Sequence, residues 1–285
     1  MLSYLDHIAA CNRRNLALFL PLMVDGKAAG WVRKSHVPWM TGADDPLQEH
    51  DGVLEFRSEV NTPEYRTDAI ERLMTRLSQE GKLQPARGET YAARTSFHAP
   101  ELFRLDRRFC RILGLRQYGV HMNGFVQTAD GLHMWIGTRS TALQVYPGQL
   151  DNIVAGGQPA DLSLMDNLIK ESDEEAGIPE EIVRQAKPVS TISYAFDEAD
   201  GLHVSTLFIY DLDLPADFTP VNQDGEVSQF DLVPVADVLM GIREPEHYKF
   251  NVNLVMIDFA LRHGLLDPDE NPGFEGLDRG LRQHP

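Results

Sequence analysis

Twice in this chain a run of strand-forming residues reaches an Ala-Asp-Gly triplet and is answered by a second such run. The first is Tyr118–Ser140, "YGVHMNGFVQTADGLHMWIGTRS", and the second is Val189–Leu214, "VSTISYAFDEADGLHVSTLFIYDLDL". Asp-Gly between two β-branched and aromatic runs is a strong short-range signal for a hairpin. Two long hairpins commit the second half of the chain to a sheet with antiparallel pairs. Helices must then cover its faces: one over Leu162–Ala176, a short one after the strand in "GEVSQFDLVPVADVLMGI", and a closing one in "YKFNVNLVMIDFALRHGLL". Strands joined by hairpins with helices outside them define an α+β chain with a mixed β-sheet.

The first ~115 residues read as a separate α/β unit. Residues 1–17 have helical spacing. "LPLMVDGKAAGWVRK" reads as strand, Asp25-Gly26 turn, strand. Thr62-Pro63-Glu64 opens a helix with proline at its first position, and the periodic run to Leu77 ends near Gly81. "ETYAARTSF" is strand-like, and "ELFRLDRRFCRILGL" has the pattern of an amphipathic helix ending at Gly114. We therefore expect an N-terminal extension over 1–115 and a second domain over 116–285.

Bulk properties exclude several functions. Formal net charge is −17, so a phosphate backbone is repelled on average and nucleic acid is not expected as a partner. No run of about 18 apolar residues exists, so no membrane partner is expected. The apolar run Leu16–Val24 lacks a basic start and a small-residue cleavage site and reads as core, not as a signal peptide. Two cysteines, Cys11 and Cys110, make no disulfide framework and suit a reducing cytoplasm. A homodimer is the macromolecular partnership left open.

The stretch "DNLIKESDEEAGIPEEI", Asp166–Ile182, holds seven carboxylates and one lysine. On a helix, Glu171 lies three residues from Glu174 and four from Glu175, so all three share one face. Met165, Leu168 and Ile169 supply the apolar face. Like charges at these spacings destabilise a helix by a few tenths of a kcal/mol per pair. A divalent cation turns that repulsion into affinity, and magnesium prefers carboxylates plus phosphate oxygens. A solvated acidic helix has the same spacing, so spacing alone leaves both readings open.

Other residues carry weaker signals. Arg139 and Lys170 could contact a phosphate, although Lys170 has carboxylates beside it to pair with. Trp135 and Tyr146 could stack on a flat ring, although aromatics in strands are usually core. His121 and Asn123 could hydrogen-bond a ligand or pack at a strand end. Arg262–Gly264 reads as a helix C-terminus, with cations at the negative end and glycine as cap.

The segment "GGQPADLSLMDNLIKESDEEAGI" resembles the signature of the Nudix hydrolases: Gly, five residues, Glu, seven residues, then Arg-Glu-apolar-x-Glu-Glu-x-Gly-apolar. Gly156 opens it, Lys170 and Glu171 stand at the Arg-Glu pair, Glu174 and Glu175 are the paired acids, and Gly177-Ile178 close it. Leu162 replaces the first glutamate, Lys170 the arginine, and Ser172 the apolar residue. The resemblance implies an α/β/α sandwich. It also implies a catalytic magnesium ion, with manganese as substitute, for which Glu171, Glu174 and Glu175 are ligands or nearby acid/base partners, and a loop shaped by Gly156 and Gly157. Glu226 stands where many members place a fourth acid. "GVHMNGFV", "HMWIGTRS", "VYPGQLDNIVAGG" and "KFNVNLVMIDFALRHGL" further resemble the Nudix domain associated with thiamine pyrophosphokinase. That implies hydrolysis of thiamine-diphosphate-like compounds, oxidised or damaged ones among them, to monophosphates. Nucleoside diphosphate derivatives such as nucleotide sugars are the alternative substrate. A ligand-binding protein without catalysis, suggested by Leu162, is the alternative class.

Overall fold

The computed structural model describes residues 1–283. After helix α1 (Tyr4–Ala10) come strands β1 (Phe19–Val24), β2 (Lys27–Arg33), β3 (Leu47–His50) and β4 (Val53–Phe56), helix α2 (Pro63–Gln79), and a ribbon of β5 (Thr90–Ala93) and β6 (Phe103–Asp106). The four strands form a sheet in the order β2-β1-β4-β3. The β1–β2 turn has Asp25 and Gly26 both at positive φ, as a two-residue hairpin requires. Thr62 caps α2 by accepting from the Tyr65 amide, and Pro63 stands in its first turn. Its inward face of Ile70, Leu73, Met74 and Leu77 packs with Leu22, Leu54 and Phe103.

The second unit begins at β7 (Arg116–Thr128) and continues through β8 (Gly131–Arg139), β9 (Leu150–Asn152), β10 (Val154–Gly157), helix α3 (Leu164–Ala176) and the short α4 (Glu180–Val183). Strands β11 (Lys187–Glu198), β12 (Gly201–Asp213) and β13 (Val227–Pro234) follow, then helices α5 (Val235–Gly241), α6 (Val252–Arg262) and α7 (Phe274–Gly280). Both Ala-Asp-Gly hairpins are present: Thr128 pairs with Gly131, and Glu198 with Gly201. The sheet order is β11-β12-β7-β8-β13, with β12 and β7 parallel. It forks, because β7 pairs with β10 over Gly119–Met122 and with β8 over Phe125–Thr128.

Period-two alternation divides the sheet between two cores. Val120, Met122, Tyr210 and Leu212 face α3 through Leu168 and Ala176. Met134, Ile136, Ile192, Leu207 and Ile209 face α6 through Leu254, Ile257 and Phe259. The result is the expected mixed-sheet sandwich between helices, with a smaller α/β unit against one end.

Two expectations are corrected. Residues 101–115 are not an amphipathic helix but strand β6 and one 3₁₀ turn, Arg107–Phe109. Phe103 and Leu105 alternate inward, and the Asp106 carboxylate accepts the amides of Arg87, Gly88, Glu89 and Arg108, which turns the chain there. Residues 1–17 are helical only over Tyr4–Ala10 and a 3₁₀ turn at Leu16–Leu18, and α1 does not join the N-terminal core. Its Ile8, with Cys11 after it, is buried in the core beneath α6 and α7. Ile8→Ala should therefore cost about 2–4 kcal/mol in denaturant unfolding of the whole chain. A loss under about 0.5 kcal/mol, the level of a surface change, would place α1 outside that core.

Candidate active site

Ser163 starts α3 by accepting from the Asp166 amide, and Gly177 ends it in the left-handed conformation. The observed start is two residues later than the expected Leu162, because the capping serine sits at 163. Ahead of it, Asn167 donates to the Gly157 carbonyl (2.8 Å) and Gln158 to the Leu162 carbonyl (2.7 Å). These bonds fix the loop between β10 and α3 from inside. Leu162, where the motif has its first glutamate, contributes only that backbone acceptor.

Glu171 lies across Gly156. A Cβ built there would stand 2.4 Å from the Glu171 carboxyl carbon, so any other residue here would move this side chain from its present place. Glu175 is 8% exposed, and its Oε2 accepts from the Ala155 amide at 2.8 Å. Burial pushes its pKa up to about 8. The Ala155 amide and Lys249 oppose that shift, while the charges of Asp151 and Glu171 add to it. Glu171 is raised too, first by burial and then by Glu174 and Glu89, against Lys170. Glu174 is more open and accepts from Lys170 Nζ at 2.5 Å, while the same ammonium reaches Glu171 at 3.2 Å.

Among the described residues no three His, Cys, Asp or Glu side chains converge closely enough to enclose an ion. The donor set nevertheless fits a hard divalent cation. All three donors are carboxylates on one helix face, Glu171 and Glu175 are raised by burial and then by neighbouring acids, and an ammonium already stands between Glu171 and Glu174.

The remaining expected site residues are placed differently. Arg139 is engaged within the chain. Its guanidinium donates to Asp151 (2.9 Å) and to the Tyr146 and Val145 carbonyls, and so holds the 140–149 loop. Asn123 is fully buried, bridging Asn152 and Asp211 at 2.9 Å each. Trp135 is partly buried and packs against the core under α3. Glu226 is exposed just before β13, with no described contact to the three helix carboxylates. Lys170 pairs with its neighbours. Tyr146 packs tilted against Phe250, centroids 5.4 Å apart.

Sequence reasoning missed Asp151 and Lys249. Asp151 is 5% exposed and takes both Arg139 and Lys249, each at 2.9 Å, which keeps it charged despite burial. Asn152 beside it holds His121 (2.9 Å), a ring that burial pushes down to about 4 and so keeps neutral. The Asp-Asn pair in "QLDNIVAGG" was the available signal.

Residues 3–117 match a domain of unknown function, DUF4743. Over nearly its whole length the chain is similar to two Arabidopsis thaliana proteins. It is 37% identical over 283 residues to Nudix hydrolase 24, chloroplastic, covering 98% of this chain and 77% of that one. It is 37% identical over 290 residues to Nudix hydrolase 20, chloroplastic, with the same two coverages. The chain belongs to the Nudix hydrolase family. The protein DR0079 of Deinococcus radiodurans superimposes with a TM-score of 0.43 at 19% identity, over 59% of this chain and 97% of that one. As a Nudix hydrolase this protein is an enzyme of pyrophosphate-bond hydrolysis. None of its described helices is long and apolar enough to cross a membrane.

The raised pKa of Glu175 has a measurable sign. With divalent ions chelated, the buried carboxyl favours folding only while protonated. Its contribution is complete below the ordinary value of 4.5, declines as pH rises, and is gone above about 8. Glu175→Gln should therefore melt higher than the parent at pH 8 in chelator, by roughly 3 °C or more, and the gap should close near pH 5. An equal gap at both pH values would show that Glu175 is not buried against other charges.

Proposed function

We propose that this Nudix hydrolase uses magnesium, with manganese as a substitute, to cleave the diphosphate of a compound resembling thiamine diphosphate, releasing the monophosphate. One observation carries the reading. Glu175 is buried on the Ala155 amide beside Glu171, which lies over Gly156, in a chain that keeps three of the four glutamates of the family motif. Glu171, Glu174 and Glu175 would hold the cation. When bound, it neutralises phosphate charge and makes a coordinated water more acidic.

The chain's own residues do the rest. Gly156 and Gly157 leave room for groups that close over the loop. The Ala155 amide fixes the Glu175 carboxylate, and a carboxylate so fixed can take a proton from a water within about 3 Å. Lys170, held by Glu171 and Glu174, limits their repulsion until a stronger cation arrives. Water then adds to one phosphorus, the bridging P–O bond breaks, and the proton leaves with the nearby base.

A flat heterocyclic substrate is supported by aromatic rings on one side of the sheet. Phe196 and His203 stack at 4.8 Å, and Phe250 sits edge-on to both. Asn251, next to Phe250, has a buried side-chain oxygen with no described partner. The partner on this reading is a small molecule, and a homodimer and a cytoplasmic location are further parts of the proposal. The buried free thiols of Cys11 and Cys110 suit a reducing compartment.

Phosphate release from thiamine diphosphate, its oxidised forms and nucleotide sugars, with and without magnesium, tests the proposal. Turnover should need the metal and favour the thiamine series. Glu175→Gln should lose a hundredfold or more, since each ~1.4 kcal/mol of lost transition-state stabilisation is tenfold in rate. Asp173→Asn, on the exposed face, should lose less than threefold. Preference for nucleotide sugars would overturn the substrate. No turnover of any diphosphate would leave a binding protein.

A further inference from the structure

The N-terminal unit touches the loop ahead of α3 with one small group of residues. The Thr90 carbonyl accepts from the Ala160 amide at 2.9 Å. Arg104 pairs with Asp161 at 2.8 Å. Tyr91 and Arg107 stand over Gly157: a Cβ there would lie 1.8 Å from the Tyr91 hydroxyl and 3.0 Å from the Arg107 guanidinium. The Tyr91 residue is 3% exposed, and its hydroxyl has no described hydrogen-bond partner. Glu89 holds Arg107 by one nitrogen, Nη1 to Oε2 at 3.0 Å, and the Arg107 side chain remains 42% exposed. Tyr91 lies under the same guanidinium, 5.6 Å from ring centre to its carbon. Glu89 and Tyr91 both interact electrostatically with Glu171, so the group borders the acidic face of α3 and not a remote surface.

A diphosphate arriving here approaches the acidic face of α3, Glu171, Glu174 and Glu175, and needs positive charge from the protein as well as from a cation. Most nearby side-chain cations are engaged. Lys170 bridges Glu171 and Glu174, while Arg139 and Lys249 share Asp151. Arg107 has a single carboxylate partner and an open side. Its planar fork matches two phosphate oxygens at once, which an ammonium cannot do.

We propose that Arg107, presented by the N-terminal unit and aimed by Glu89 and Tyr91, binds the substrate's diphosphate. The N-terminal unit is then part of the active site and supplies its phosphate-binding arginine. This rests on the reading of the protein as a diphosphate hydrolase. Arg104, three residues earlier in β6, instead pairs with Glu101 within its own unit and docks that unit onto Asp161.

Binding of methylene diphosphonate, a non-hydrolysable diphosphate, to the full chain with magnesium provides the test, by calorimetry, alongside steady-state kinetics on whichever diphosphate the enzyme turns over. Arg107→Ala should weaken diphosphonate binding about ten- to hundredfold and raise KM more than it lowers kcat. Arg107→Lys should recover less than tenfold of the binding. Arg104→Ala, which loosens docking without touching Arg107, should leave both within threefold. Parent-like binding by a folded Arg107→Ala overturns the proposal and leaves the hydrolase reading intact. Equal losses in Arg107→Ala and Arg104→Ala overturn it too, by making the effect one of docking. If the parent neither binds the diphosphonate nor releases phosphate from any diphosphate, the hydrolase reading itself fails and the role of Arg107 with it.

Discussion

Gly156 and Gly157 have space on their Cα atoms that other residues fill. Glu171 occupies it at the first, and Tyr91 with Arg107 at the second. Three layers meet at this point: strand β10 of the central sheet, helix α3, and the ribbon of the N-terminal unit. A side chain at either position would displace Glu171, or Tyr91 and Arg107, from where they now lie. With the layers pressed together, Glu175 reaches the Ala155 amide and Glu171 becomes largely buried, and burial is the first cause of both raised pKa values. The electrostatics of the site thus follow from packing, and the missing Cβ atoms of Gly156 and Gly157 leave room for Glu171, Tyr91 and Arg107 in it.

The described buried carboxylates away from the helix are each compensated, unlike the acids of α3. Asp151 takes two cations. Asp211 takes Arg262 and His263, and donation from Asn123 as well. Asp258 takes Arg262 and Arg282. These buried carboxylates are satisfied, as burial demands. Asp151 and Asp211 are joined through Asn152 and Asn123 in one hydrogen-bonded line across the sheet. Glu171 and Glu174 share one lysine, and Glu175 has one amide. A remaining deficit of positive charge is what an ion-binding site needs before its ion arrives.

Much of this was legible in the sequence, where local chemistry decides structure. The Asp-Gly hairpins, the capped start of α2 and the acidic face of α3 each depend on neighbours within a few residues. Glu101–Leu115 misled because its apolar residues satisfy a helical period as well as a strand's alternation, and the deciding bonds run from Asp106 back to the amides of 87–89. Tyr4–Ala10 looked helical and is, but its partner α6 lies more than 240 residues on. Asn123 and Arg139 have ligand-binding chemistry, and only the folded chain reveals Asp211 and Asp151 opposite them. Glu89, Tyr91 and Arg107 were invisible for the same reason, since nothing within their own segment points to Gly157.

Crystals grown with manganese and measured at its absorption edge test the central claim most directly. The account predicts one strong anomalous peak in contact with the Glu171 and Glu175 carboxylates beside Gly156, with Lys170 displaced from Glu171. A manganese ion bound elsewhere, with Lys170 still bridging Glu171 and Glu174, would contradict it and leave the acidic helix a solvated face.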